Sequence, residues 1–206
     1  MAEIVASAGA RTAARVSGLH ILAIQDTTSL RNDGDQRGMV AHPTIAVDAE
    51  SGALLGLVHG QVLRREGGKK GSCTRRSFDE KESHRWLEGA EAAAGLAAAG
   101  VTVVADRESD IYALFGRRPR GIDLLVRSTH DRALMDGGKI SARLSAMAAQ
   151  DCMEVALPAS PGRRPRTARL ALRFCTVEIK RPSSATAGGP WSAPVNPPEP
   201  GASARD

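Results

Sequence analysis

Two short apolar runs in the chain each end in an aspartate. They are HILAIQD (residues 20–26) and VTVVAD (residues 101–106). A short run that is apolar on both faces is typical of a strand buried in the middle of a sheet. The pattern therefore predicts two buried strands, with Asp26 and Asp106 at or near their ends.

The segment that follows the first run has the pattern of a β-hairpin. The β-rich runs MVAHPTIAVDA (residues 39–49) and ALLGLVHGQVL (residues 53–63) flank the short turn Glu50-Ser51-Gly52. Two such runs around a turn that contains glycine are typical of paired antiparallel strands. With the strand before them, they predict an antiparallel meander of three strands.

Two later segments have the pattern of helices. SFDE (residues 77–80) matches a capping box, and alanine and apolar positions recur at helical spacing up to Ala99, with Gly100 placed to end the helix. Residues 109–115 predict a short helix, and GIDLLVRS (residues 121–128) a further strand. Helical connections make the last two strands parallel. The predicted fold class is α/β, a ribonuclease-H-like mixed sheet in which the meander is continued by parallel β-α-β units.

Beyond residue 130 the pattern changes. CMEVALPA (residues 152–159) and TARLALRFCTVEIK (residues 167–180) are strand-like and flank an Arg- and Pro-rich turn, which predicts a hairpin outside the main sheet. From Arg181 onward the chain is rich in Pro, Gly, Ser and Ala without apolar periodicity. Such composition is typical of a linker or a disordered segment.

Charge and cysteine content narrow the classes of partner and cofactor. The formal net charge is +5 and the pI is about 9.6, which suits a polyanionic partner but also an ordinary soluble protein. The three cysteines form no C-x-x-C pair, so neither a disulfide framework nor a zinc site is predicted. Reduced thiols in a cytoplasm are the simplest account of these cysteines, so we expect a cytoplasmic protein. No apolar run is long enough to cross a bilayer, so no membrane partner is expected.

Asp26 and Asp106 are the candidate catalytic and metal-binding residues. Neighbouring parallel strands bring their carboxyl ends to one edge of a sheet, where two bare carboxylates would repel each other unless a cation lay between them. Carboxylate oxygens suit magnesium or manganese, and a pair of such ions supports phosphodiester chemistry. An aspartate at a strand end is also a common turn or capping residue, so position alone leaves a structural role open.

The sequence segments around the two aspartates add a resemblance to a known family. Four segments occur in order: IQDTTSL (24–30), DEKESHRWL (79–87), VVADRESDIY (103–112) and VRSTH (126–130). Together they resemble the insertion-sequence-four family of DDE transposases, over roughly residues 20–180. The resemblance implies DNA binding and metal-dependent DNA strand cleavage and transfer in transposition. It makes Asp26 and Asp106 the first two catalytic carboxylates, with magnesium or manganese as the cofactor and two ions in the complete enzyme.

The resemblance also implies a division of the chain. Its parts are a leader or remnant helix (1–19), the first part of the catalytic core (20–130), part of a β-rich insertion (131–181) and a disordered tail (182–206). The family's third carboxylate lies in a Tyr-x-x-Arg-x-x-x-Glu motif that this sequence does not contain, and the residues before His20 are too few for the family's DNA-recognition domain. We therefore expect a chain that is truncated at both ends and inactive by itself.

Candidate DNA contacts follow from the same resemblance and from charge. Arg127 is similar to a family position near the bound transposon end, although a surface ion pair is an equal alternative. Further candidates for phosphate contacts lie in one basic segment: Lys69, Lys70, Arg75 and Arg76. The alternative interpretation of this segment is a charged loop exposed to solvent. The implied partners are transposon-end and target DNA, and the full-length family also allows a homodimer. The implied location is the cytoplasm, at the nucleoid.

Two other interpretations stay open. In the first, the chain is a non-catalytic remnant that acts at most as a weak DNA- or partner-binding module. In the second, it is a different ribonuclease-H-like nuclease with its own third carboxylate. Glu154 and Glu178 are the possible replacements, but strand alternation points both to solvent. His42 lacks metal-ligand spacing and is expected to be an ordinary polar or half-buried histidine. Trp86 is expected to anchor the long helix in the core.

Overall fold

The computed structural model describes residues 2–30, 39–64 and 82–182. The capping box at 77–80, the basic segment with Lys69, Lys70, Arg75 and Arg76, and the tail from residue 183 lie outside the described residues. The described chain divides into two compact units, one up to Thr129 and the other from His130 onward.

A mixed sheet organises the first unit. Its strands are β1 (His20–Gln25), β2 (Thr28–Leu30), β3 (Met39–Asp48), β4 (Leu54–Arg64), β5 (Gly100–Ala105) and β6 (Ile122–Val126). β3 pairs antiparallel with β4 along one edge and with β1 and β2 along the other, while β1, β5 and β6 run parallel. The order across the sheet is β4-β3-β1-β5-β6, with β2 continuing the line of β1. The predicted antiparallel meander and its parallel continuation are both observed, so the chain is α/β.

In the part of the chain that the structure describes, three helices accompany this sheet. They are α1 (Ala2–Arg15), α2 (Arg85–Ala94) and α3 (Tyr112–Gly116), and 3-10 turns cover Glu82–His84 and Arg107–Ser109. α1 is fastened to β4 by its side chains, because Thr12 Oγ1 donates to the carbonyl of Leu57 at 2.7 Å and Arg15 Nη1 donates to that of Leu55 at 2.9 Å. The first residues of the chain therefore form a helix that packs on the meander.

The core of the first unit lies between α2 and one face of the sheet. Every second residue of β1 and β5 is buried, including Ile21 and Val103, and the apolar side of α2 supplies Trp86 and Leu87, each at most 1% exposed. Burying one large apolar side chain contributes about 1.5–3 kcal/mol. The prediction that Trp86 anchors this helix in the core is confirmed.

α2 is shorter than its alanine-rich sequence predicts. The predicted extension to Ala99 is wrong: the helix ends at Ala94, with Gly95 as its C-cap, and Gly100 begins β5 instead of ending the helix. The reason is tertiary, since the N–H groups of Ala99 and Gly100 both donate to the carbonyl of Leu19, at 2.8 and 3.4 Å. Those bonds hold the chain in the return to the sheet and outweigh the helix propensity of alanine.

The second unit contains α4 (Ile140–Ser145) and the strands β7 (Asp151–Leu157) and β8 (Arg166–Leu172). β7 and β8 pair antiparallel in a two-stranded sheet of their own, as the sequence predicts. β8 ends at Leu172, although the strand-like pattern continues to Lys180. Between β8 and residue 182, where the described residues end, an isolated bridge pairs Ile179 with Leu134.

Candidate active site

Asp26 and Asp106 leave the sheet at the same level from adjacent parallel strands. Gln25 and Ala105 are the last paired residues of β1 and β5, and each aspartate is the next residue along its strand. Both aspartates are exposed. The two residues therefore share the carboxyl edge of the sheet, where the sequence predicted them, while their catalytic role stays a prediction.

Each of the two carboxylates is held by one backbone amide. The N–H of Thr27 donates to Asp26 Oδ1 at 2.8 Å, and the N–H of Glu108 donates to Asp106 Oδ1 at 2.9 Å. No described residue donates a hydrogen bond to the Oδ2 atom of either aspartate. Exposed carboxylate oxygens with open lone pairs are the donors that Mg²⁺ and Mn²⁺ prefer, so the two residues fit such an ion.

Arg127 follows the third strand of the same parallel set. Val126 pairs with Ala105, and the N–H of Arg127 donates to the carbonyl of Ala105 at 3.2 Å. Its side chain is exposed. Asp26, Asp106 and Arg127 thus follow three neighbouring strands, which puts a cationic group on the same edge as the two carboxylates.

Buried Asp110 fixes the loop that carries Arg127. Asp110 is only 2% exposed, and its Oδ2 accepts the N–H of Thr129 at 2.6 Å and the hydroxyl of Ser128 at 3.4 Å. Thr129 Oγ1 also donates to the carbonyl of Arg107 at 3.2 Å. The loop after β6 is therefore tied to the turn after β5.

Arg85, the first residue of α2, spans the turns that follow β1 and β5. Its Nε donates to Thr27 Oγ1 at 3.3 Å, and its Nη2 pairs with Glu108 Oε2 at 3.2 Å. The guanidinium carbon lies 5.3 Å from the centroid of the Trp86 ring. The side chain of Arg85, a residue that is 8% exposed, thus contacts Thr27, which follows Asp26, and Glu108, which lies two residues after Asp106.

His42, on β3, continues this network into the core. Its Nδ1 lies 2.9 Å from Thr27 Oγ1, and its Nε2 lies 3.1 Å from Gln25 Oε1. Its ring packs edge-on against that of Trp86, with 4.5 Å between the two ring centroids. Since Gln25 Oε1 can only accept, the ring proton of the neutral imidazole is assigned to Nε2, and Nδ1 then accepts the hydroxyl hydrogen of Thr27. Burial, followed by the positive charge of Arg85, lowers the pKa of His42 from 6.5 to about 4.

Sequence reasoning missed the residues behind the aspartates. His42, expected to be an ordinary polar or half-buried histidine, is more deeply buried than that, because the residue is 0% exposed. Thr27, Arg85 and Asp110 all lie inside the motifs that carry the family resemblance, but no role was assigned to them. The only signal was their position in those motifs, since contacts between separate segments leave no periodicity in a sequence.

No protein-family model matches the chain, and no curated protein matches it. Among residues 2–30, 39–64 and 82–182, no group of three or more His, Cys, Asp or Glu side chains has a metal-binding arrangement. In the same part of the chain, every helix is too short or too polar to cross a membrane.

Proposed function

We propose that this chain is catalytic-core sequence of a DDE transposase of the insertion-sequence-four family, with Asp26 and Asp106 as ligands of magnesium or manganese. The observation that carries the proposal is the parallel register of β1 and β5, which ends in Gln25 and Ala105 and so brings the two aspartates out side by side. An aspartate pair at the carboxyl edge of parallel strands is a position where ligands bind in α/β sheets.

The strand order supports the same proposal. An antiparallel meander (β1, β3 and β4) continued by parallel strands (β5 and β6) is the arrangement expected of a ribonuclease-H-like core. Asp26 and Asp106 follow the first and fourth strands of this arrangement when the short β2 is counted as the continuation of β1.

The proposed chemistry divides between ion and protein. Divalent ions at the aspartate pair would activate an attacking oxygen and stabilise a leaving oxygen in phosphodiester cleavage and strand transfer. The chain's own residues hold the two carboxylates through the amides of Thr27 and Glu108, and Arg127 presents a cation for a DNA phosphate on the same edge. The proposed partners are DNA, at transposon ends and at the target, in the cytoplasm.

Manganese binding tests the proposal directly. Isothermal titration calorimetry of the 206-residue chain with MnCl₂ is expected to show a site that Asp26→Asn or Asp106→Asn removes. Asp123→Asn is the matched control, because Asp123 is an exposed aspartate on β6 before the strand's carboxyl end. Unchanged manganese binding by both site variants would reject the proposal.

A non-catalytic module that binds DNA is the second candidate, and the position of Arg127 favours it independently of any metal. A cation held by the loop after β6 can contact a phosphate whether or not Asp26 and Asp106 bind an ion. Salt-dependent DNA binding without a manganese site would favour this second candidate.

A further inference from the structure

Two residues beside the aspartates have the same pair of contacts. Thr27 donates its backbone N–H to Asp26 Oδ1 at 2.8 Å and accepts a hydrogen bond from Arg85 Nε at 3.3 Å. Glu108 donates its backbone N–H to Asp106 Oδ1 at 2.9 Å and accepts one from Arg85 Nη2 at 3.2 Å. Each aspartate is therefore held by a residue that Arg85 itself holds.

The surroundings of Arg85 make it a rigid link between these two turns. It begins α2, is 8% exposed, and lies against Trp86, which is 1% exposed. Its guanidinium donors have a fixed planar geometry, so contacts with two partners fix the partners relative to each other. A lysine has one compact ammonium on a flexible stem and cannot fix two separate turns in this way.

We infer that Arg85 is a positioning residue that sets the spacing and orientation of Asp26 and Asp106 for a divalent cation. It acts through Thr27 and Glu108, one for each aspartate. Its positive charge also offsets the repulsion between the two carboxylates when no ion lies between them. The inference rests on the proposed function, since it assigns Arg85 to the metal site of that function.

Manganese titration of a small set of variants tests the inference. Arg85→Lys and Thr27→Val remove the contact between the Arg85 guanidinium and the Thr27 hydroxyl. Thr27→Ser keeps a hydroxyl at this position and so preserves the contact. Arg143→Gln is the matched control, because it breaks an arginine–carboxylate pair with Asp136 in the second unit. Urea unfolding of each variant separates loss of the site from loss of the fold.

The expected result is a loss of manganese affinity of about tenfold or more in Arg85→Lys and Thr27→Val, as for other residues that orient metal ligands. Thr27→Ser and Arg143→Gln are expected to bind like the unaltered protein. Without metal, hydrogen exchange of the amides of residues 27 and 108 is expected to accelerate in Arg85→Lys at unchanged urea midpoint. If Arg85→Lys does not fold, the comparison of Thr27→Val with Thr27→Ser decides the question.

Two results would overturn the inference in different ways. If Asp26→Asn removes manganese binding while Thr27→Val and Arg85→Lys bind like the unaltered protein, Arg85 has no positioning role and the proposed function stands. If Asp26→Asn and Asp106→Asn also bind like the unaltered protein, the proposed metal site is wrong and the inference fails with it.

Discussion

His42 Nε2 lies 3.1 Å from Gln25 Oε1, in a part of the core that solvent does not reach. Gln25 is the last residue of β1, so this contact ties the strand end before Asp26 to β3. The neutral imidazole makes this hydrogen bond to Gln25 without a charge. A protonated ring would place a positive charge among buried groups next to Arg85. The contact therefore makes the stability of this part of the fold depend on pH.

We expect the stability of the protein to fall as the pH is lowered from about 6.5 towards 4. The pKa of His42 is about 4 in the folded state and 6.5 as the ordinary value, so the unfolded chain takes up the proton first as the pH falls. Stability from neutral His42 is thus complete above about pH 6.5, and on the order of 3 kcal/mol is lost as the pH falls through this window. Urea unfolding between pH 7.5 and 4 measures it.

The control for this pH dependence is His42→Gln, which keeps a polar side chain but cannot titrate. The variant is expected to be less stable at pH 7.5 and to show a smaller loss of stability on acidification. Parallel curves for the two proteins would mean that other groups cause the acid sensitivity.

Gly89→Ala is expected to destabilise the fold even though alanine is a better helix former. A Cβ on Gly89 would lie 2.5 Å from Thr44 Oγ1 and 2.6 Å from Gln25 Oε1, both in buried side chains that have no space to yield. Overpacking of this kind costs about 1–3 kcal/mol, more than the roughly 1 kcal/mol that alanine gains over glycine in a helix. The free energy of unfolding in urea measures the difference.

Gly95→Ala is the matched control for that substitution. Gly95 has a φ of −75°, and the nearest atom to an added Cβ would be 3.5 Å away, an ordinary contact. We expect a change within about 0.5 kcal/mol. Equal effects of the two substitutions would mean that α2 does not approach the sheet closely at Gly89.

DNA binding is expected to be weak, indifferent to sequence and strongly dependent on salt. Arg127 lies on the edge that carries Asp26 and Asp106, and each phosphate contact releases counterions, so affinity falls as salt rises. Arg127→Ala is expected to weaken binding and to lower the salt slope by about one. Fluorescence anisotropy of a labelled duplex at low and physiological salt gives both quantities.

The comparison for Arg127 is Arg11→Ala, which removes the same charge from an exposed position on α1. If the two variants lose affinity equally, only net charge matters and Arg127 has no particular place in binding. Binding that ignores salt, or that is tight for a single sequence, would contradict the expected electrostatic mode.

The 206-residue chain is not expected to nick DNA. Chemistry with two metal ions needs ligands that fix both ions, and the sequence lacks the motif in which the family carries its third carboxylate. A supercoiled plasmid with magnesium or manganese, run beside an Asp106→Ala variant, provides the assay. Nicking that this variant abolishes would mean that another carboxylate completes the site.

Much of the sheet could be predicted from the sequence because its determinants are local. Alternating burial and the turn at Glu50-Ser51-Gly52 define the hairpin of β3 and β4. The end of α2 could not be predicted this way, since Ala99 is held by the carbonyl of Leu19, a residue distant in sequence. The short β2 was missed for the same reason: its three exposed residues are a strand only because they pair with β3.

The candidate site divides along the same line. The sequence by itself determined that Asp26 and Asp106 follow buried strands, because a run of apolar residues ending in a carboxylate is a local pattern. Only the tertiary structure decided that these strands are adjacent, parallel and in register, and that Arg85 joins the turns beyond them. Pairing and side-chain contacts depend on distances between segments far apart in the chain, and these distances are set only when the sheet and α2 pack together.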